Sequence, residues 1–411
     1  MDFINDAEIR IKDKFKELEE TEYYNSKKVL RAFQKFGINE AHFAPTSGYG
    51  YDDLGRDTLE EVFSEVFGGE DAIVRHTITS GTHALSMVLF GLLKTGDRLL
   101  AASGKPYDTI EEAIGIRGNA YGSLKDLGVT YGQVDLLADG TPDYENIEKE
   151  LKENPPQVVM LQRSKGYSFR KSLDMCEMKK LISFIKERCD CFVFVDNCYG
   201  EFCEKVEPTD VGADVIAGSL IKNPGGGIAP TGGYIVGKKI AIERIANRLT
   251  APGIGKEGGA SLGITKSLFQ GLFMAPSVVC SALKTAVLTA SIFENLGYTV
   301  SPTSDEKRTD IIQAIRLEDR ERLITFCQGI QQGSPIDSNV LPEPWAMPGY
   351  AHEVIMAAGA FTQGSSIELS ADGPVIEPYN VYMQGGLTYN YGKLGIETAI
   401  GRLQEKNLLV K

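Results

Sequence analysis

The chain has 411 residues, of which 42% are hydrophobic and 24% charged, enough to bury a large core and to form two or three structural units. Lys and Arg number 43 against 56 Asp and Glu, and a net charge of −13 lacks the positive footprint that phosphate-backbone binding requires, so nucleic acid is not an expected partner. The seven cysteines are odd in number, sparse and without CxxC spacing, which fits a reducing cytoplasm and argues against zinc or any other metal site.

The N-terminus, MDFINDAEIRIKDKF, mixes charges with apolar residues and has no apolar h-region, and no window reaches about 18 uninterrupted apolar residues. Neither secretion nor a membrane is expected. Residues 6–37 carry Ile9, Ile11, Phe15 and Leu18, then Tyr23, Val29, Leu30, Phe33 and Phe36, close to helical periodicity, which predicts two helices. A Gly- and Tyr-rich loop, SGYGYDDLGR (47–56), leads into a helix over TLEEVFSEVFG.

From there apolar strands alternate with turns and helices. The predicted strands are AIVRHTI (72–78), RLLAAS (98–103), VTYGQVDL (129–136), QVVMLQ (157–162), CFVFVD (191–196), DVIAGS (214–219) and GGYIVG (232–237), with helices such as THALSMVLFGLL and MCEMKKLISFIKER between them. Strands apolar throughout and separated by helices imply an α/β unit with a mainly parallel seven-stranded sheet covered on both faces. Such a sheet places ligands at the carboxyl ends of its strands.

An apolar helical stretch over 262–295, expected to break near Pro276, reads as a connector. Beyond Tyr298 shorter alternating strands (DIIQAIRL, SSIELSA, NVYMQGG), a helix over DRERLITFCQGI and a final helix near 390–406 predict a smaller α+β unit. The loop QQGSPIDSNVLPEPWAMPGY (331–350), with the only tryptophan, is long enough to be functional and equally readable as a surface connector.

Two strand ends carry chemistry. FVFVD ends in Asp196, and DVIAGS is followed three residues after Ser219 by Lys222; in a parallel sheet both point into one crevice. A carboxylate at the end of an apolar strand needs a cationic partner. A lysine in an apolar, Gly-lined setting is expected to have a lowered pKa, giving a nucleophilic amine able to form an imine. Pyridoxal 5′-phosphate (PLP) asks for both groups, a Schiff-base lysine and an acidic partner for its pyridinium nitrogen. A plain salt bridge between Asp196 and Lys222 is the competing reading.

A third element is TITSGTHALSMVLFGLL, where Ser80, Gly81 and Thr82 lie between a strand and a helix, so that N–H groups and the helix dipole face a phosphate. Ser80 or Thr82 as a simple N-cap is the alternative, and the lone His83 reads as packed or capping. NPGGGIAPTGG matches neither GxxxxGK[ST] nor a helix-opening GxGxxG, which speaks against an NTPase or dinucleotide enzyme.

The order SGTHA, VDN, GADVIAGSLIKNPGG resembles the fold-type-I PLP enzymes of cysteine and methionine metabolism, in particular the methionine γ-lyase branch that includes aluminium-resistance proteins. The resemblance runs from about Ser47 into the C-terminal unit. It implies N-terminal helices with an inter-subunit arm over 1–55, a PLP-binding large domain over 56–285 and a small domain over 286–411, with an aspartate-aminotransferase-like fold.

By the same resemblance Lys222 is the Schiff-base lysine and proton shuttle, Asp196 the partner of the pyridinium nitrogen, and Gly81, Thr82, Ser80 and Ser219 hold the phosphate. Tyr107, in GKPYDT, takes the place of the tyrosine that stacks on the cofactor, and Tyr49 that of a tyrosine lent to the neighbouring subunit. A homo-oligomer follows, with a dimer as the minimal catalytic unit and a tetramer as the expected assembly. The implied activity is a carbon–sulfur lyase on cystathionine- or methionine-type amino acids, by imine formation, α-proton abstraction and β or γ elimination. A transferase or aminotransferase on the same scaffold, or a PLP-binding protein without turnover, are the alternatives.

Three positions depart from the family pattern. Its Tyr-x-Arg is Tyr49-Gly50-Tyr51 here, leaving Tyr51 or Arg56 to serve the phosphate; a hydroxyl residue before the lysine is Ile221. The arginine expected to grip the substrate carboxylate is missing from GSSIELSADGP (364–374). Arg163, in MLQRSKGYSFR, is the expected replacement, with Lys165 and Arg170 as competitors.

Overall fold

The computed structural model describes residues 2–118, 121–347, 350 and 352–409. Helices α1 (Asp2–Arg10) and α2 (Lys12–Lys35) open the chain, and α3 (Leu54–Val66) is capped by Asp53, whose carboxylate accepts from Arg56 N. Strand β1 (Asp71–Arg75) leads into α4 (Gly81–Leu92), then β2 (Arg98–Ala101), α5 (Asp108–Ile114), β3 (Thr130–Gln133), α6 (Tyr144–Glu153), β4 (Val158–Gln162) and α7 (Met175–Lys186). β5 (Phe192–Asp196), β6 (Val215–Ser219), β7 (Gly233–Gly237) and α8 (Lys239–Leu249) complete this unit.

All seven predicted strands join one sheet in the order β1-β7-β6-β5-β4-β2-β3. β7 runs antiparallel to both β1 and β6, and the remaining pairs are parallel. Strands β4, β6 and β7 are buried at every residue, which is why they read as unbroken apolar runs rather than alternations. The register sets Gln162 beside Asp196 and Asp196 beside Ala217, so β4 and β5 end level with one another and β6 runs two residues further, to Ser219.

The connector α9 (Thr265–Asn295) is one continuous helix with Pro276 inside it, not a helix broken there. It is buried along most of its length, and packing on several sides outweighs the single backbone hydrogen bond that proline removes. By length and composition α9 is apolar enough to span a membrane, with a mean hydropathy of 1.6 over its most apolar window. Since 72% of that window is buried inside the protein, its apolar surface is already used by the core. The helix passes residue 285 without a break.

The second sheet contains β8 (Thr299–Ser301), β9 (Gln313–Arg316), β10 (Val354–Ala357), β11 (Ser370–Pro374) and β12 (Asn380–Gln384), all antiparallel, in the order β10-β11-β12-β9-β8. Helices α10 (Arg320–Gln332) and α11 (Tyr389–Glu405) complete the unit. β8 and β10 are too short to show a two-residue period. The strand expected over 365–371 begins only at Ser370. Before it, the Glu368 carboxylate accepts from Phe361 N at 2.8 Å and Thr362 N at 2.9 Å, folding the segment into a loop. In the 331–350 stretch, Trp345 pairs with Val354 as an isolated bridge, while Pro348 and Gly349 lie outside the described residues.

Candidate active site

A cavity of about 320 Å³ opens at the carboxyl ends of β5 and β6, between the two sheets. Asp196 is the last residue of β5 and Ser219 the last of β6; both are buried. Lys222 begins a 3₁₀ turn over Asn223–Gly225, and its Nζ lies 4.1 Å from the centre of the Tyr199 ring, a cation–π contact. The turn must be glycine at 225, because a Cβ there would sit 1.7 Å from Leu220 O.

The α4 N-terminus forms the opposite wall, with Ser80, Gly81 and Thr82 lining the same cavity. Ser80 is the N-cap, its hydroxyl accepting from His83 N at 3.0 Å. Helix geometry leaves the N–H groups of Gly81 and Thr82 without intrahelical partners. Gly81 packs against Cys198 and Ser219, where an added Cβ would lie in ordinary contact with Cys198 Sγ at 3.4 Å and Ser219 Cβ at 3.5 Å. Tyr107 precedes α5 and lines the cavity, its hydroxyl 3.1 Å from that of Tyr350.

The charges do not behave as the local sequence suggests. Burial pushes the Lys222 ammonium down, but Cys198, Tyr199, Asp196 and Glu201 push it up, and the net shift is upward. The expectation of a lowered lysine pKa is therefore corrected: the acidic groups that offset burial come from the end of β5 and the turn after it, invisible beside Lys222 in the sequence. Burial raises Asp196, and the nearby charge of Lys222 and the hydrogen bonds from Cys198 only partly offset that. Cys198 N donates to Asp196 Oδ1 at 3.1 Å.

Tyr49 and Tyr51 do not reach this cavity. They stand exposed on the 47–56 loop with ring centres 5.8 Å apart and nearly parallel. Arg56 is buried elsewhere, donating through Nη1 to Gly50 O at 2.5 Å and Gly259 O at 2.8 Å, and through Nη2 to Glu257 O at 3.1 Å. These bonds commit its guanidinium to shaping the loop that displays the two tyrosines.

Arg163 is the clearest correction. It is fully buried beneath the strand ends and does not line the cavity. Its Nη1 donates to Asn197 Oδ1 at 2.9 Å and to Glu207 at 3.2 Å, and its Nη2 to Glu204 at 3.4 Å. Asn197 Nδ2 in turn donates to Glu207 at 3.1 Å, which gives the asparagine of VDN a structural task. Two internal carboxylates use this guanidinium, leaving none for a substrate. Lys165 and Arg170 line a neighbouring cleft, Lys165 donating to Ser301 O at 2.8 Å and Arg170 to Ser164 O at 2.8 Å. Burial lowers Lys165 to about 8.

The small unit supplies site residues that sequence reading missed: Ser365, Ser366, Asp372 and Gln384 line the cavity. Ser365 Oγ and Gln162 Oε1 are buried there without a protein partner. Their signal in the sequence was limited to polar residues in and beside strands far apart in the chain, which become a site only when the two sheets meet.

A mainly parallel seven-stranded sheet, a lysine beyond the neighbouring strand to an aspartate, and a helix N-terminus facing both define the fold-type-I class of PLP-dependent enzymes. Cystathionine gamma synthase from Xanthomonas oryzae pv. oryzae shares this fold, with a TM-score of 0.61 at 16% identity over 93% of this chain and 98% of that one. The methionine gamma-lyase family model matches residues 1–404, and the chain belongs to that family. It is 54% identical to the protein YnbB of Bacillus subtilis (strain 168) over 398 residues, 96% of this chain and 94% of that protein. A carbon-sulfur lyase involved in aluminium resistance from Clostridium novyi NT superposes with a TM-score of 0.94 at 52% identity, covering 98% of this chain and 95% of that one.

Proposed function

We propose that the chain is a PLP-dependent carbon–sulfur lyase acting on a sulfur amino acid of the cystathionine or methionine type, releasing a thiol, a keto acid and ammonia. The observation that carries this reading is the convergence of Lys222, Asp196 and the α4 N-terminus in one cavity. The donor set suits PLP: an amine for its aldehyde, a buried carboxylate for its ring nitrogen, and an uncrowded helix N-terminus for its phosphate. When bound to a lysine, PLP supplies an electron sink for charge left at a substrate's α-carbon.

The residues of this chain do the rest. Lys222 would anchor the cofactor and is the amine placed to carry the α-proton, with the Tyr199 ring holding its Nζ in place. Asp196 keeps a positive charge on the ring nitrogen. Gly81 and Thr82 N–H groups with the Ser219 hydroxyl would hold the phosphate, and Tyr107, lining the same cavity, would give the ring an aromatic wall. Ser365 Oγ, buried without a protein partner, replaces the missing arginine as a donor to the substrate carboxylate.

The exposed pair Tyr49 and Tyr51 fits a homo-oligomer in which each copy completes its neighbour's site, in a cytoplasmic protein; Tyr51 would serve the neighbour's phosphate, while the buried Arg56 shapes the loop that displays it. The test is spectroscopic. Purified protein supplied with PLP should show an absorbance band near about 420 nm and release thiol from a sulfur amino acid, and Lys222→Ala should abolish both. A wild-type chain without that band refutes the reading. Gel filtration with light scattering checks the assembly, and a monomer refutes the shared site.

A further inference from the structure

The cavity wall contributed by β11 carries a carboxylate that the lyase chemistry above does not use. Asp372 lines the same cavity as Lys222 and is only 6% exposed. Both its oxygens accept from neutral donors: Tyr167 Oη donates to Oδ2, and Gln384 Nε2 to Oδ1 at 3.0 Å. Gln384 is itself fixed by a 2.9 Å bond to Ser370 Oγ, so the carboxylate is aimed rather than free to turn. Among the described residues no lysine, arginine or histidine forms an ion pair with it.

Burial raises the Asp372 carboxyl, and its hydrogen bonds and the charge of Lys222 only partly offset that, so a positive charge on a ligand placed beside it would favour the ionised form. The cavity's own lining holds no guanidinium, and its one amine, Lys222, belongs to the cofactor in the reading above. Asp196 is likewise assigned to the ring nitrogen. Asp372 is thus the carboxylate left facing the substrate, and Gln162 Oε1 is a second buried acceptor in the same lining with no protein partner. The polarity of this wall is set for a donor of positive charge, opposite to the arginine the family pattern suggests for this region.

Resting on the lyase reading, we infer that Asp372 is a specificity-determining residue that accepts an ammonium group carried by the substrate beyond its reacting amino group, with Gln162 as a second acceptor. The preferred substrates are then thioether amino acids with a second ammonium, and neutral thioethers of the methionine kind bind less well. Tyr167 and Gln384 are positioning residues for this carboxylate.

The experiment uses the PLP-loaded protein and two unreactive analogues in which methylene replaces sulfur, one with a distal ammonium and one without, titrated by their effect on the cofactor absorbance. Wild type should bind the diamino analogue roughly 10- to 100-fold more tightly, the range expected for a charge-assisted hydrogen bond. Asp372→Asn should erase that preference while leaving the mono-amino analogue's affinity and the cofactor band unchanged, and Asp372→Glu should keep part of it. Equal affinities in wild type overturn the inference, and this holds even if the variants fail to fold. Parallel loss of both analogues in Asp372→Asn overturns it too, as expected of a structural residue. A protein that lacks the cofactor band refutes the lyase reading, whereas one that shows the band and releases thiol but treats the analogues alike refutes only the role of Asp372.

Discussion

Replacing Arg163 with methionine separates a structural guanidinium from a substrate-binding one. In the wild type its two terminal nitrogens serve Glu207, Glu204 and Asn197, and both Arg163 and Glu207 are fully buried. Burial lowers the arginine's pKa and the two glutamates raise it, with a net upward shift, so its charge is held. Arg163→Met leaves Glu207 in the interior with only Asn197 and the Phe202 N–H as donors. Breaking a buried pair from one side costs about 3–5 kcal/mol. With about 2.1 cal/mol/K of unfolding entropy per residue, a chain of 411 residues melting cooperatively should lose about 4–6 °C.

Calorimetry of the wild type, Arg163→Met and the double variant Arg163→Met/Glu207→Gln measures this directly. The double variant should recover part of the loss, because it removes the charge that the single variant strands. KM of the folded single variant should stay near the wild-type value. An unchanged melting temperature combined with a raised KM would return Arg163 to the substrate site and refute the reasoning.

Gly225→Ala places a methyl carbon 1.7 Å from Leu220 O, so the Lys222 turn must move; the variant should lose cofactor absorbance and melt lower, as measured by spectroscopy and calorimetry. Burial raises Glu201 from its ordinary 4.5 to about 8, so the native state binds more protons than the unfolded chain between these values. Its contribution is fully present below about pH 4.5 and is lost as pH rises through about 8; Glu201→Gln should flatten that fall in a stability-against-pH profile, and a profile unchanged from wild type counts against the shift. Asp196→Asn keeps the acceptor for Cys198 N–H but removes the charge, so thiol release should fall by at least about tenfold with cofactor retained; full activity would exclude Asp196 as the ring partner. Glu368→Ala removes the acceptor of the Phe361 and Thr362 N–H groups, loosening the loop that carries Ser365, and should raise KM more than it lowers kcat in steady-state assays.

Most strands of the large sheet were legible in the sequence because burial on both faces forces apolar runs, and such runs are local; the edge strand β3 has none of its residues buried. Lys222, Asp196 and Ser80-Gly81-Thr82 were legible for a related reason: each sits where an apolar strand ends, and parallel strands bring such ends to one edge. The antiparallel placement of β7 was not, since an apolar strand reads the same in either direction. Nor was the continuity of α9, where tertiary packing outweighs a proline's local preference.

The assignment of Arg163 shows where local reading stops. A guanidinium at a strand end has the chemistry to hold a carboxylate, and that much is in the sequence; which carboxylate it holds depends on Glu204 and Glu207 folding back more than forty residues later along the chain. The upward shift of Lys222 has the same origin, since the acidic groups around it arrive from another strand and the turn after it. Ser365 and Asp372 enter the cavity only because the second sheet closes over the first. Hydrophobic period and strand-end chemistry are properties of short segments and survive in the linear chain. Charge pairing and the substrate-facing wall arise from contacts between distant segments, and only the packed structure decides them.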